Sequence, residues 1–402
     1  LWLTGIVTVI GAQITVITVP AQLWSLTGDS AKVGLAGLFG LVPLVVFGLW
    51  GGAIADSFDR RKVLMTTTVG LILTMIAFWL QAFLELNNVW LILTIFAVQQ
   101  GFFGVNSPTR TALLPSILPL AHLPAANSLN MTIFQAGAIV GPLVGGALLP
   151  FLGFSWLYLF DAVCLLLTLW AVVKLPSLRP VGEAVKPNLG AILEGFRYTW
   201  VHKILLVSFL VDLIAMVAGM PRALYPEIAN HSFGGPADGG MEFALLSAAL
   251  AIGGVLGGVF SGWVTRVQRH GLATLVCIAV WGFAVIGFGT ATHLAHGAAL
   301  PMLIFAIAFL AIGGAADMAS AAFRQTILQS STNDAIRGRL QGVFIVVVAG
   351  GPRMADVLHG WAASHIGAST ATILGGALVV LGIIASALAW PQFARYRSSA
   401  SP

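Results

Sequence analysis

The sequence predicts an all-α integral membrane protein of about twelve transmembrane helices in two six-helix, pseudo-symmetric halves. Three observations carry that expectation. Of the 402 residues, 58% are hydrophobic and only 8% charged, where soluble domains carry about 25% charged residues. Apolar runs of about 20 residues, the length that crosses the hydrocarbon core of a bilayer, recur from end to end. A polar linker divides the runs into two sets, and one fixed offset relates the sets. Adding 214 takes Arg110 to Arg324, Asn127 to Gln341, Gly137 to Gly351 and Gly146 to Gly360, the mark of a parallel repeat.

The first six spans are expected near 2–25, 33–55, 63–84, 89–108, 126–149 and 155–173. Leu1 already lies in an apolar run, so a short leader is expected ahead of it. The second and third spans flank a charged turn, Gly52–Lys62, and Arg110 follows the fourth. The fifth carries a glycine series from Gly137 to Gly146. Lys174–Val201 then brings Pro176, Pro180 and Pro187 among its cations and reads as the linker. Its later part, Leu189–Trp200, has the pattern of a short amphipathic helix lying on the membrane surface. The second six spans are expected near 202–222, 242–264, 272–291, 299–320, 339–362 and 369–390. The longest connection among these is Ala223–Gly240, read as an outer loop. The division is therefore 1–173, a linker 174–201, 202–391 and a tail 392–402.

With both termini in the cytoplasm, every Lys and Arg except Lys32, Arg222 and Arg353 falls in an inner loop. Such a bias sets orientation in an inner membrane. The pI near 9.6 does not point to nucleic acid, because these cations are scattered between apolar runs and form no continuous basic face. Cys164 and Cys277 lie inside apolar runs and read as packed thiols. Asp161, near the outer start of the sixth span, reads as a cap or interfacial acid. His293, His296 and His365 read as solvated loop residues.

Five of the eleven residues in Gly52–Lys62 are charged. Gly52 permits a close helix approach, and Asp56 is placed to pair with cations or cap a helix, which together read as a latch. The order Gly52, Asp56, Arg60, Arg61, Lys62 resembles the loop between the second and third helices of the major facilitator superfamily. There, Ser57 replaces the usual cation and Asp59 the usual glycine. Gly137, Gly141, Pro142, Gly145 and Gly146 are similar to the antiporter signature of the exporters in that superfamily, although Ser128 stands where another glycine is frequent. Glycines at helical spacing allow tight helix contact, and proline bends the helix. Segments at Pro108–Pro115, Ala126–Asn130, Met220–Pro226, Arg337–Gly342 and Gly350–Arg353 resemble the branch that holds the enterobactin exporter and the macrolide efflux proteins. The resemblance implies two six-helix bundles, alternating access, outward transport, and an inner gate built from Gly52, Asp56, Arg60, Arg61, Lys62 and Arg110. Many relatives carry an acid in the first helix, where this chain has Ala12 and Gln13.

Ionisable side chains inside spans ask for a reason, since an acid there costs about 2.5–3.5 kcal/mol on insertion scales. Asp212 falls near the middle of the seventh span with no cation nearby in sequence, and reads as a proton carrier. Asp317 lies toward the end of the tenth, with Arg324 as its natural partner. Arg353 and Asp356 stand three apart on one face of the eleventh, beside Pro352. His359 follows on the same face. These four, Asp212, Asp317, Arg353 and Asp356, are the expected proton-coupling or substrate groups.

No phosphate-binding Gly–Lys–Ser/Thr loop, metal-ligand spacing or nucleophile elbow occurs in the sequence, which excludes the commonest enzyme signatures and ATP as an energy source. No cofactor is implied. The expectation is a monomeric, non-enzymatic secondary transporter in the lipid bilayer that exports amphipathic, siderophore-like or drug-like molecules against protons. The alternatives are a lipid translocase or a polar-nutrient facilitator of the same fold.

Overall fold

A computed structural model gives the fold. It describes residues 2–177, 197–295, 299–330 and 334–397, and the backbone alone for residues 2, 3, 49, 52, 53, 55, 56, 114–116, 120 and 334–349. The described residues are helical almost throughout: α1 (Trp2–Thr27), α2 (Ser30–Ser57), α3 (Arg60–Phe83), α4 (Val89–Ile117), α5 (Leu123–Val173), α6 (Lys203–Gly219), α7 (Met241–Val259), α8 (His270–His293), α9 (Ala299–Ser330), α10 (Asp334–Ile366) and α11 (Ala368–Ala389).

Ten helices among the described residues are long and apolar enough to cross a membrane. One of them, α5, has 51 residues. At 1.5 Å per residue it would run about 76 Å, far beyond a core of about 30 Å. It breaks at Gly153, where φ is 73° and ψ 171°, so it crosses twice, as two limbs joined without a loop. The spans expected at 126–149 and 155–173 are these limbs. α10, 33 residues long, has the length for a twelfth crossing among the described residues. Trp156, Trp170, Phe151 and Leu388 are among the many large apolar side chains left exposed. Outward-facing apolar surface on this scale is stable only against lipid.

The chain divides into two compact units. One comprises Leu1–Gly28, Leu35–Pro187 and Gly235–Ala244; the other comprises Asp29–Gly34, Asn188–Gly234 and Leu245–Pro402. In the first, α1 lies along α5, and α3 packs on both α4 and α5. In the second, α8 packs against α9 and α11, and α6 lies on α10 and α11. The core of this second unit gathers Leu205, Val211, Met216, Trp281, Val379 and Ile383.

Local chemistry fixes the ends. Asp59 caps α3, its carboxylate accepting from Arg61 N at 3.0 Å. Asp59→Ala is expected to lower stability by about 1 kcal/mol in detergent unfolding, the usual value of an N-cap. The segment expected as a long loop after Ala223 is instead coiled into short turns at Arg222–Leu224, Tyr225–Glu227 and Ile228–Ser232. Leu224, Tyr225, Ile228 and Phe233 are buried there, and their apolar side chains hold it to the bundle. Residues 197–201 are helical; the rest of the expected surface helix lies outside the described residues.

Candidate functional site

The charged turn closes helix ends within the first unit. Arg60 Nη1 donates to the Ala112 carbonyl at 3.1 Å and Arg61 Nη2 to that of Val173 at 2.6 Å. Ser177 Oγ donates to Asp59 Oδ2 at 2.6 Å. The cations thus neutralise carbonyls in the last turns of α4 and α5, where the helix dipole is negative. Asp59, at the position the superfamily pattern fills with glycine, supplies the cap. Lys62 is exposed. Gly52 and Asp56 belong to the helical backbone of α2, and their side-chain roles lie outside the described residues. Arg110 on α4 reaches α1: a Cβ on Gly5 would stand 3.0 Å from Arg110 Nη2.

The glycine series turns toward α1. A Cβ on Gly137 would strike Val9, one on Gly141 would strike Gln13, and one on Gly145 would stand 3.1 Å from Ile14. Hydrogen at these positions is what lets α1 and the first limb of α5 approach. Pro142 lies inside this limb and is buried. Gly146 looks elsewhere, with its Cβ position 2.8 Å from that of Ala244 at the start of α7. Pro150 has no N–H to offer the Gly146 carbonyl one turn back. Gly240 N donates to it instead, at 3.0 Å.

The second unit repeats this crossing. A Cβ on Gly360 would strike the Ser30 carbonyl, and one on Gly34 that of Asp356. The offset of 214 that takes Gly146 to Gly360 also takes Ser30 to Ala244, so both members of the contact are duplicated. Ser30 Oγ also donates to the Glu227 carboxylate.

Six ionisable side chains of the second unit gather into two clusters. On α9, Arg324 forms an ion pair through Nη1 with Asp212 of α6, and its Nη2 stands 3.6 Å from Asp317. Arg324 is 5% and Asp212 1% exposed, whereas Asp317 is 31% exposed. Two carboxylates therefore share one guanidinium, and Asp317 is the more exposed of the two. The second cluster joins Arg222 Nη2 to Asp356 Oδ2 at 3.5 Å, with the charge of Arg353 also acting on Asp356. Here two cations share one acid. His359, one turn on, is buried and donates from Nε2 to the Ala218 carbonyl at 2.9 Å.

Sequence reasoning left Asp212 without a cation. Arg324 was expected in a loop past the end of the tenth span, but α9 runs on to Ser330 and carries it inside. The signal was present: a mid-span acid demands a counter-charge, and few cations lie near spans.

The first unit holds a polar seam. Thr8, Thr15 and Gln22 of α1 recur every seven residues and meet three partners on the second limb of α5. The Thr8 and Thr168 hydroxyls touch. Thr15 Oγ1 donates to Asp161 Oδ2 at 2.5 Å, and Tyr158 Oη donates to Gln22 Oε1 at 2.8 Å. Gln22 and Gln81 of α3 exchange hydrogen bonds at 3.3 and 3.0 Å. Asp161, expected as an interfacial cap, is 2% exposed and part of this seam, because the limb begins directly at Gly153 and carries it inward.

A cavity of about 1000 Å³ opens among α2, α3 and α4, walled by Pro43, Phe47, Val63, Val98 and Phe102, with Lys62 and Asp59 also lining it. It lies in the first unit.

Twelve crossings, duplicated glycine contacts and charged groups buried in helices define a multi-pass carrier of the major facilitator fold. Solved structures share that fold. A bacterial homologue of the human lysosomal transporter Spinster, inward-facing, aligns with a TM-score of 0.71 at 16% identity, covering 100% of this chain and 98% of that one. A bacterial homologue of the iron transporter ferroportin gives 0.70 at 15% identity, covering 98% of each chain. The nucleoside transporter NupG gives 0.73 at 12%, again covering 98% of each. The chain belongs to the transmembrane secretion effector family of the major facilitator superfamily, whose pattern it matches over residues 1–400. It is 28% identical over 392 residues to the enterobactin exporter EntS of Shigella boydii serotype 18, with 95% of this chain and 89% of that protein covered. The same figures hold for EntS of Escherichia coli O139:H28.

Proposed function

We propose that this small-molecule carrier exports amphipathic molecules, siderophore-like or drug-like, from the cytoplasm across the inner membrane in exchange for protons. The cargo class and direction rest on the likeness to EntS. The observation that carries the coupling is the sharing of Arg324 by Asp212 and Asp317. One guanidinium balances one carboxylate, so the pair of acids retains a site for one proton. Asp317 is the exposed member and the one that loads and unloads; Asp212 alternates with it as the partner of Arg324. A proton descending 100 mV supplies about 2.3 kcal/mol, enough to bias an alternating-access cycle. Arg222, Arg353 and Asp356 form a second charged group for cargo or gating. Gly52, Asp56, Arg60, Arg61, Lys62 and Arg110 form the inner gate, with both termini cytoplasmic, and the Gly137–Gly146 series is the flexible seam of the antiporter. The working unit is a monomer.

The test uses inverted membrane vesicles with an acidic interior, with enterobactin and erythromycin as probes. The parent chain is expected to accumulate one of them. Asp317→Asn is expected to lower gradient-driven accumulation at least tenfold while leaving probe-for-probe exchange within threefold. Full accumulation by Asp317→Asn would remove the acid pair from the coupling.

A second reading, lipid translocation, is favoured by the apolar cavity among α2, α3 and α4. It predicts movement of a fluorescent phospholipid between leaflets in liposomes and no accumulation of either probe.

A further inference from the structure

The acids of the second unit enter the coupling proposed above. The first unit holds a buried acid that this coupling does not use. Asp161 is 2% exposed. Its Oδ2 accepts from Thr15 Oγ1 at 2.5 Å. Its Oδ1 is buried without a hydrogen-bond partner and faces the bare backbone of Gly11, where a Cβ would stand 2.5 Å from it. Glycine at position 11 is what gives that oxygen its space.

The surroundings contain nothing to balance a negative charge. From α1 come Gly11 and Thr15. From α3 comes Met75, whose Sδ lies 3.7 Å from Thr15 Oγ1. From the same limb come Cys164, a buried thiol, and Tyr158, whose hydroxyl is engaged with Gln22. No Lys, Arg or His among the described residues forms an ion pair with Asp161 or acts electrostatically on it. A carboxylate with one hydrogen bond and no counter-ion is strongly disfavoured in such a place, and it takes up a proton instead. A neutral carboxyl fits the geometry better than an ionised one: Oδ2 keeps its hydrogen bond to Thr15, and an uncharged Oδ1 is left without a partner at less cost than a charged one.

We propose that Asp161 is a proton-binding site of the first unit, loaded in the conformation described, and that its proton exchanges with water during the transport cycle. The proposal rests on proton exchange as the energy source. It gives the carrier a proton site in each six-helix unit, one with a guanidinium partner and one without.

The test is chemical labelling of the full chain in liposomes with dicyclohexylcarbodiimide, which enters apolar regions and adds only to protonated carboxyls. Adducts are mapped by mass spectrometry between pH 5 and 9. An adduct on Asp161 that falls at least fivefold toward alkaline pH is expected. Asp161→Asn keeps the acceptor for Thr15 and should fold. It is expected to lose gradient-driven probe accumulation tenfold and to keep probe-for-probe exchange. Three results overturn the proposal: no adduct at any pH, an adduct independent of pH, or an Asp161→Asn chain that accumulates probe as the parent does. Loss of both accumulation and exchange assigns Asp161 a structural role and also overturns it. Labelling reads the site even where neither probe moves, so failure of the export reading and failure of this site are separable.

Discussion

Replacing Arg324 with leucine is expected to destabilise the protein by about 3–5 kcal/mol and to abolish transport. The substitution leaves Asp212, 1% exposed, as a buried acid without its cation, and strips Asp317 of the same neighbour. Removing one member of a buried pair costs more than the pair contributes, because the survivor keeps its desolvation penalty. Asp212→Asn is expected to be milder, since Arg324 retains Asp317 at 3.6 Å. Arg324→Leu combined with Asp212→Leu is expected to recover most of the stability and none of the coupling, a non-additive result that belongs to contacting residues. Thermal unfolding in detergent, with vesicle assays alongside, reads both quantities. A stability loss below 1 kcal/mol for the single Arg324 substitution would show that the pair is not buried as described.

The second large effect is expected at Gly360. A β-carbon there overlaps the Ser30 carbonyl and stands 2.9 Å from Gly34 Cα. Both obstacles are backbone, which cannot rotate away as a side chain does. Gly360→Val is expected to cost about 1–3 kcal/mol of overpacking strain and to lower probe accumulation at least tenfold, since α10 carries Asp356 and Arg353 one and two turns before it. Gly146→Val meets Ala244 in the duplicated contact and is expected to behave alike. Gly262→Ala, with open space around it, is expected to change neither quantity. Equal unfolding temperatures for the Gly360 and Gly262 variants would contradict the close crossing.

The fold was legible because apolar length is a local property. Each run of about 20 residues announces a crossing without knowledge of its neighbours, and the turn at Gly52–Lys62 and the glycines of α5 announce themselves by spacing. The sites were legible only in part. Asp212, Asp317 and Asp356 stand out as charges in apolar runs, and Arg324 was legible as the partner of Asp317, yet the cations that pair with Asp212 and Asp356 come from distant segments. Arg222 sat at the very end of an expected span and Arg324 beyond a helix that continues. Asp161 was hidden by a boundary: the second limb of α5 starts at Gly153 with no intervening loop, so a residue that counted as interfacial is interior. Burial is decided by which helices meet, and that information is spread across distant segments.

The heptad spacing of Thr8, Thr15 and Gln22 has a mechanical result. Their partners descend the opposite helix in reverse order, like teeth on facing racks. A slip of one turn, about 5.4 Å, unmeshes all three teeth together and strands six polar groups in an apolar wall. Gradual sliding of α1 over α5 therefore has no low-energy intermediate stop. During a working cycle α1 and the second limb of α5 travel as one stiff spar, and any bending falls to segments outside it, the glycine series of the first limb among them.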